Sequence, residues 1–83
     1  MIRYSSLAAY LAHRRVLQRE HQKNHAAESP VLEEMNRLVR EVLGEEGRYL
    51  EEEEPADSAA RRHRERAEAR LRRALIARGT LAD

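Results

Sequence analysis

Between Ser29-Pro30 and Pro55 the chain carries apolar residues at helical spacing, and this stretch limits the possible folds more than any other. At 100° per residue, Val31, Leu32, Met35, Leu38, Val39, Val42, Leu43, Tyr49 and Leu50 fall within an arc of about 140°. The arc resolves into two adjacent rows, which suits a helix packed against two neighbours. Ser29 reads as an N-cap followed by proline at the first helical position, with Glu33 and Glu34 in the first turn. Gly44 and Gly47 weaken this helix by about 1 kcal/mol each relative to alanine. The apolar phase persists to Leu50, so the pattern predicts one continuous helix over residues 30–52, bent at the glycines.

Two further helices flank it. One spans roughly residues 5–27, capped by Ser5 or Ser6, with Leu7, Tyr10, Leu11 and Leu17 on one face. Arg14, Gln18, His21 and His25 continue that face, so it turns polar in its second half, and Val16 points away. The other spans roughly 57–78, capped by Asp57 or Ser58 and stopped at Arg78-Gly79. Its contact face is narrow: Ala60, Ala67, Leu71, Ala74 and Leu75, ringed by arginines, with Ile76 almost opposite. Short connections favour antiparallel neighbours. The expected fold is therefore all-α: a single domain over 1–83, a small antiparallel three-helix bundle made of a hairpin (5–52) and a basic third helix (57–78).

Composition makes such a bundle thin. There are 83 residues, no Phe, Trp or Cys, three Tyr, and 37% charged side chains. Small scaffolds of this kind usually need a staple, and without cysteine neither a disulfide nor a thiolate metal site is available. Association with another chain is the expected remedy, so the bundle is expected to be completed by oligomerisation or a larger protein partner. The apolar run at the N-terminus is too short for a signal peptide, and nothing approaches the ~20 apolar residues that cross a bilayer. A soluble, cytoplasmic protein without membrane contact is expected.

The formal net charge of +1 hides segregation: residues 1–29 sum to +3, residues 30–55 to −6 and residues 56–83 to +4. Folding back neutralises these blocks, which argues for intramolecular pairing. Glu46 is the one acid in the middle of the central apolar arc, and a buried lone carboxylate is costly. A hairpin pivoting at Ser29 brings Arg14 near Glu45 or Glu46 and sets Tyr10 against Tyr49. A second pivot at Pro55 brings His63 or Arg64 to Glu46, giving an expected buried ion pair among Arg14, Glu46 and His63. The same hairpin sets the run Glu51–Glu54 beside the N-terminus of the first helix.

Functional motifs are sparse. His21, His25 and Glu28 share a face at spacing that can hold Zn²⁺ or Ni²⁺, although two histidines one turn apart arise often by chance. No cysteine nucleophile, glycine-rich phosphate loop or evident cleft points to catalysis, and a non-catalytic, cofactor-free protein is expected. Seven arginines lie between residues 61 and 73. Arg61, Arg62, Arg66, Arg70 and Arg73 are candidates for phosphate contacts, opposed by Glu65, Glu68 and the lack of aromatic residues in that segment. The leading expectation is a helical protein-interaction or self-assembling module, an adaptor, regulator or assembly factor. Nucleic-acid binding through the third helix ranks second, and metal binding third.

Overall fold

A computed structural model of the protein describes residues 2–24, 29–51 and 57–82. Within them the chain forms three α-helices, α1 (Leu7–Lys23), α2 (Pro30–Leu43) and α3 (Ser58–Ala77), with a 3₁₀ segment (Gly44–Leu50) after α2. No helix among the described residues is long and apolar enough to cross a membrane.

The helix starts follow local chemistry. Ser6 Oγ accepts from the Ala9 amide at 3.1 Å, Ser29 Oγ from Leu32 at 3.2 Å, and Asp57 Oδ1 from Ala60 at 2.7 Å. Each cap satisfies one of the amides that the first turn leaves without a partner. The end of α3 is equally local. Gly79 adopts φ 77°; its amide donates to Ile76 O at 3.0 Å and the Thr80 amide to Leu75 O at 2.9 Å. This pair of bonds is the Schellman arrangement, which needs a left-handed residue and so favours glycine.

The central helix is not continuous to residue 52. It stops at Leu43, where Gly44 takes φ 56° and ψ −129° and its amide closes the last turn on Arg40 O. That backbone region is rarely open to L-residues. The chain then winds as a 3₁₀ helix that folds back on α2, since a Cβ on Gly47 would lie 2.9 Å from Val39 Cγ1. Leu50 is buried all the same, and this is why its apolar phase resembled helix continuation. A Cβ on Gly44 would meet nothing within 4 Å, so any cost of substitution there is backbone strain alone. Gly44→Ala is expected to lose about 1–3 kcal/mol in a urea melt, and a D-alanine at the same position to recover it. Equal stability of the L- and D-variants would contradict this backbone geometry.

One apolar cluster joins the elements: Tyr10 and Leu11 from α1, Met35, Leu38, Val39 and Leu43 from α2, Leu50, and Ala67, Leu71 and Leu75 from α3, with Leu81 after it. Leu7, Leu17, Val31 and Val42 pack against its edge, partly buried. The third helix is not the weak partner its composition suggests, because Ala67, Leu71 and Leu75 are each 0% exposed. Ile76, expected to point away, packs against the cluster, while Val16 stays half-exposed. The two ends of the described chain also meet. The Tyr4 amide donates to Thr80 O at 2.8 Å and the Ala82 amide to Tyr4 O at 3.3 Å, a parallel bridge between Tyr4 and Leu81.

Candidate functional site

An open, mainly apolar groove lies beside the terminal bridge. Ile2, Tyr4, Tyr10 and Leu75 line a groove of about 710 Å³ together with Val31, Met35 and Leu38 of α2, and Glu34, Arg37, Glu41 and Arg78 supply its charged lining. Ile2, 49% exposed, stands at its rim. The charged residues on the lining neutralise each other pairwise. Arg78 Nη2 donates to Glu41 at 3.4 Å, and Arg37 lies 3.8 Å from Glu34.

Tyr10 is the unusual member of this lining. Its ring meets Tyr4 edge-on, with centroids 5.2 Å apart, rather than Tyr49 as the hairpin register predicts. The residue is 2% exposed, and its hydroxyl has no hydrogen-bond partner among the described residues. Most buried hydroxyls are paired, so such a group calls for an explanation. Burial pushes the Tyr10 phenol up to about 12, opposed by the charges of Arg14 and Arg78 and reinforced by Tyr4. Burial also raises Tyr4, whose hydroxyl shares a 2.6 Å hydrogen bond with His13 Nδ1. A phenol that ionises near pH 10 when unfolded but only near 12 when folded binds its proton more tightly in the native state. Its contribution is fully present below about pH 10 and is lost as pH rises toward 12. The wild-type melting temperature is therefore expected to fall more steeply across that window than that of Tyr10→Phe; parallel curves would contradict the burial of this phenol.

Arg14 lies in a second recess, lined also by Asn36, Arg37, Arg40 and Arg48, of about 640 Å³. It is buried, but Glu46 is not its partner. Arg14 Nη2 donates to Glu51 Oε1 at 2.7 Å, and its Nε and Nη2 both donate to Asn36 Oδ1 at 3.3 and 3.2 Å. Gln18 Nε2 adds a 3.4 Å bond to Glu51 Oε2. Glu51 thus lies beside the middle and second half of α1 rather than its N-terminus; residues 52–54 lie outside the described residues. Glu46 is exposed and bonds Arg70 Nη1 at 2.7 Å, while Arg70 Nη2 donates to Val42 O at 2.8 Å. The expected triad of Arg14, Glu46 and His63 does not assemble. The break at Gly44 rotates Glu46 out of the apolar arc, which a straight helix would have kept inside.

His63 instead stacks on Tyr49, with ring centroids 4.8 Å apart and planes 8° from parallel. The Arg48 guanidinium lies 5.1 Å from the Tyr49 centroid, and Arg66 Nη2 is 3.4 Å from His63 Nδ1. Sequence spacing alone does not reveal this column, because its rings come from different elements. Arg61, Arg62, Arg66 and Arg73 are exposed on α3, whereas Arg70 is committed to Glu46 and Val42.

Of the candidate metal ligands, His21 is exposed near the end of α1; His25 and Glu28 lie outside the described residues. Among the described residues no group of three or more His, Asp or Glu side chains is gathered to hold a metal ion. Comparison with protein-family models, curated proteins and solved structures found no match to this chain.

Proposed function

We propose that the protein is a small helical interaction module, the three helices forming an antiparallel bundle, whose groove beside Ile2 receives an apolar segment of a partner protein. The observation that carries this reading is the groove itself: a concave, mainly aliphatic and aromatic surface with a half-exposed isoleucine at its rim. Single exposed apolar residues are ordinary, and Val16 is one such residue. Ile2 differs because it continues a lined cavity of a size that takes ligands. The pairing of Arg78 with Glu41 and of Arg37 with Glu34 leaves this face close to neutral, which favours an apolar partner over a polyanion.

The test is selection of random peptides on the full chain, followed by binding of the selected peptides to Ile2→Asp. Enrichment of apolar sequences that bind the variant at least about tenfold more weakly supports the reading, that loss being the scale of one good buried contact. Absence of enrichment, or binding indifferent to Ile2→Asp, overturns it. Sedimentation in parallel identifies a second copy as the occupant if a dimer forms and Ile2→Asp abolishes it.

The stack of Tyr49 on His63, flanked by Arg48 and Arg66, supports a second reading, binding of single-stranded nucleic acid. Stacked rings beside exposed arginines combine the two interactions such strands use. Binding of a labelled oligonucleotide that weakens steeply with salt and with Arg62→Ala and Arg66→Ala favours it; no binding at low salt removes it.

A further inference from the structure

We infer that the recess around Arg14 binds the phosphate of a small phosphate monoester. This site is separate from the groove beside Ile2, since Arg37 alone lines both. Four arginines line the recess, Arg14, Arg37, Arg40 and Arg48, against two acids, Glu33 and Glu51. Glu51 is already held by Arg14 at 2.7 Å and by Gln18. Arg37 lies 3.8 Å from Glu34, which is not on this lining.

What these pairings leave over is almost entirely donors. Arg14 gives Nε and Nη2 to Asn36 and Glu51, and its Nη1 bonds to nothing among the described residues. Nor is Nη1 sealed in, because the one fully buried side-chain polar atom without a partner among the described residues is the Tyr10 hydroxyl. Asn36 Oδ1 accepts from Arg14 twice, so the amide NH₂ is what Asn36 offers the recess. Arg40 is exposed, and its side chain makes no ion pair or hydrogen bond among the described residues. An occupant must therefore be rich in acceptors and negatively charged. A neutral polyol brings donors that find only Glu33. A carboxylate brings two oxygens, whereas a phosphate monoester brings three and close to two charges at neutral pH. That charge matches the excess of four arginines over two acids on the lining. Guanidinium groups pair with such oxygens in a forked, charge-assisted geometry. A volume of about 640 Å³, with Val39 and Gly44 also on the lining, has room for the organic part.

Calorimetric titration of the full chain with phenyl phosphate and with phenyl sulfate at neutral pH provides the test. Phenyl phosphate is expected to bind saturably, and about tenfold tighter than the singly charged sulfate. Arg40→Gln should weaken it at least about tenfold, the scale of one charge-assisted hydrogen bond, while melting with wild type in its absence. Glu33→Gln removes the opposing charge and should tighten it about threefold. Arg73→Gln removes the same charge as Arg40→Gln from the exposed face of α3, off this lining, and should stay within about twofold of wild type. Absence of saturable binding, or equal binding of the two esters, overturns the assignment. So does binding indifferent to Arg40→Gln, or weakened as much by Arg73→Gln, which is the mark of diffuse charge attraction. None of these failures touches the docking reading, because Ile2 is not on this lining.

Discussion

Leu71→Asp is expected to leave the chain unfolded at room temperature. Leu71 is completely buried in the middle of α3, between Ala67 and Leu75 on the same face. Removing a buried leucine side chain costs about 2–5 kcal/mol. Placing a carboxylate there adds several more, because the cluster holds no cation to pair with it. A domain of this length has a total stability of only about 4–12 kcal/mol. The two penalties together match or exceed that reserve. Leu71→Ala incurs only the first and should remain folded at low temperature, with a melting temperature roughly 10–25 °C lower. Far-UV circular dichroism with a thermal melt reads both. A folded Leu71→Asp within a few degrees of wild type would mean that α3 does not dock as described, and the whole core would need to be redrawn.

The second large effect is an asymmetry between the two ends of one ion pair. The side chain of Arg14 is 7% exposed and that of Glu51 49%. Glu51→Ala therefore strands a guanidinium that cannot shed its proton and, among the described residues, keeps only Asn36 Oδ1 as an acceptor. The expected loss is about 2–4 kcal/mol, below the upper range for broken buried pairs because Asn36 remains. Arg14→Met preserves the aliphatic stem against the core and leaves Glu51 free to hydrate. Its expected loss is within about 1 kcal/mol. Urea melts of the two variants give the comparison. The reverse order, with Arg14→Met the more damaging, would show that the guanidinium is hydrated and that its contribution is packing alone.

How much of this was readable in advance divides along the range of the interactions. The start at Ser29 and the stop at Gly79 were legible, and the other two starts to within one residue (Ser5 or Ser6, Asp57 or Ser58), since each depends on a hydrogen bond within a few residues. The core positions of α2 followed from periodicity for the same reason. The break after Leu43 was partly legible: two glycines marked the place, but the continued apolar phase favoured an unbroken helix. Periodicity registers which residues are apolar, and a 3₁₀ segment folded back on α2 also buries Leu50. The weight of α3 was underestimated because arginines dominate its composition. Burial is decided by what faces Ala67, Leu71 and Leu75, and that surface comes from elsewhere in the chain.

The candidate site was the least legible part. Ile2, Tyr4 and Thr80 belong to it because the chain ends pair as a short parallel bridge, and no local pattern marks a pairing over that separation. Tyr10 was recognised as a core residue, but its unpartnered hydroxyl is a property of the space around it. The column of Tyr49 on His63 arises in the same way, from rings on different elements.

The central stretch from Pro30 to Leu50 shows the division most clearly. Its amino acids alone determine that α2 begins at Pro30 and that its apolar residues face inward, while Gly44 and Gly47 mark a weak place without showing that the helix stops there. Caps, periodicity and glycine freedom act within a few residues and need no other element. Tertiary structure decided the pairing: Glu46 with Arg70, Arg14 with Glu51, and the Tyr10 hydroxyl with no hydrogen-bond partner among the described residues. A hydrogen bond is made or lost within a fraction of an ångström. The chain offers 15 acids to its arginines. Only the packed backbone, turned at Gly44 and closed by the bridge of Tyr4 to Leu81, selects among them.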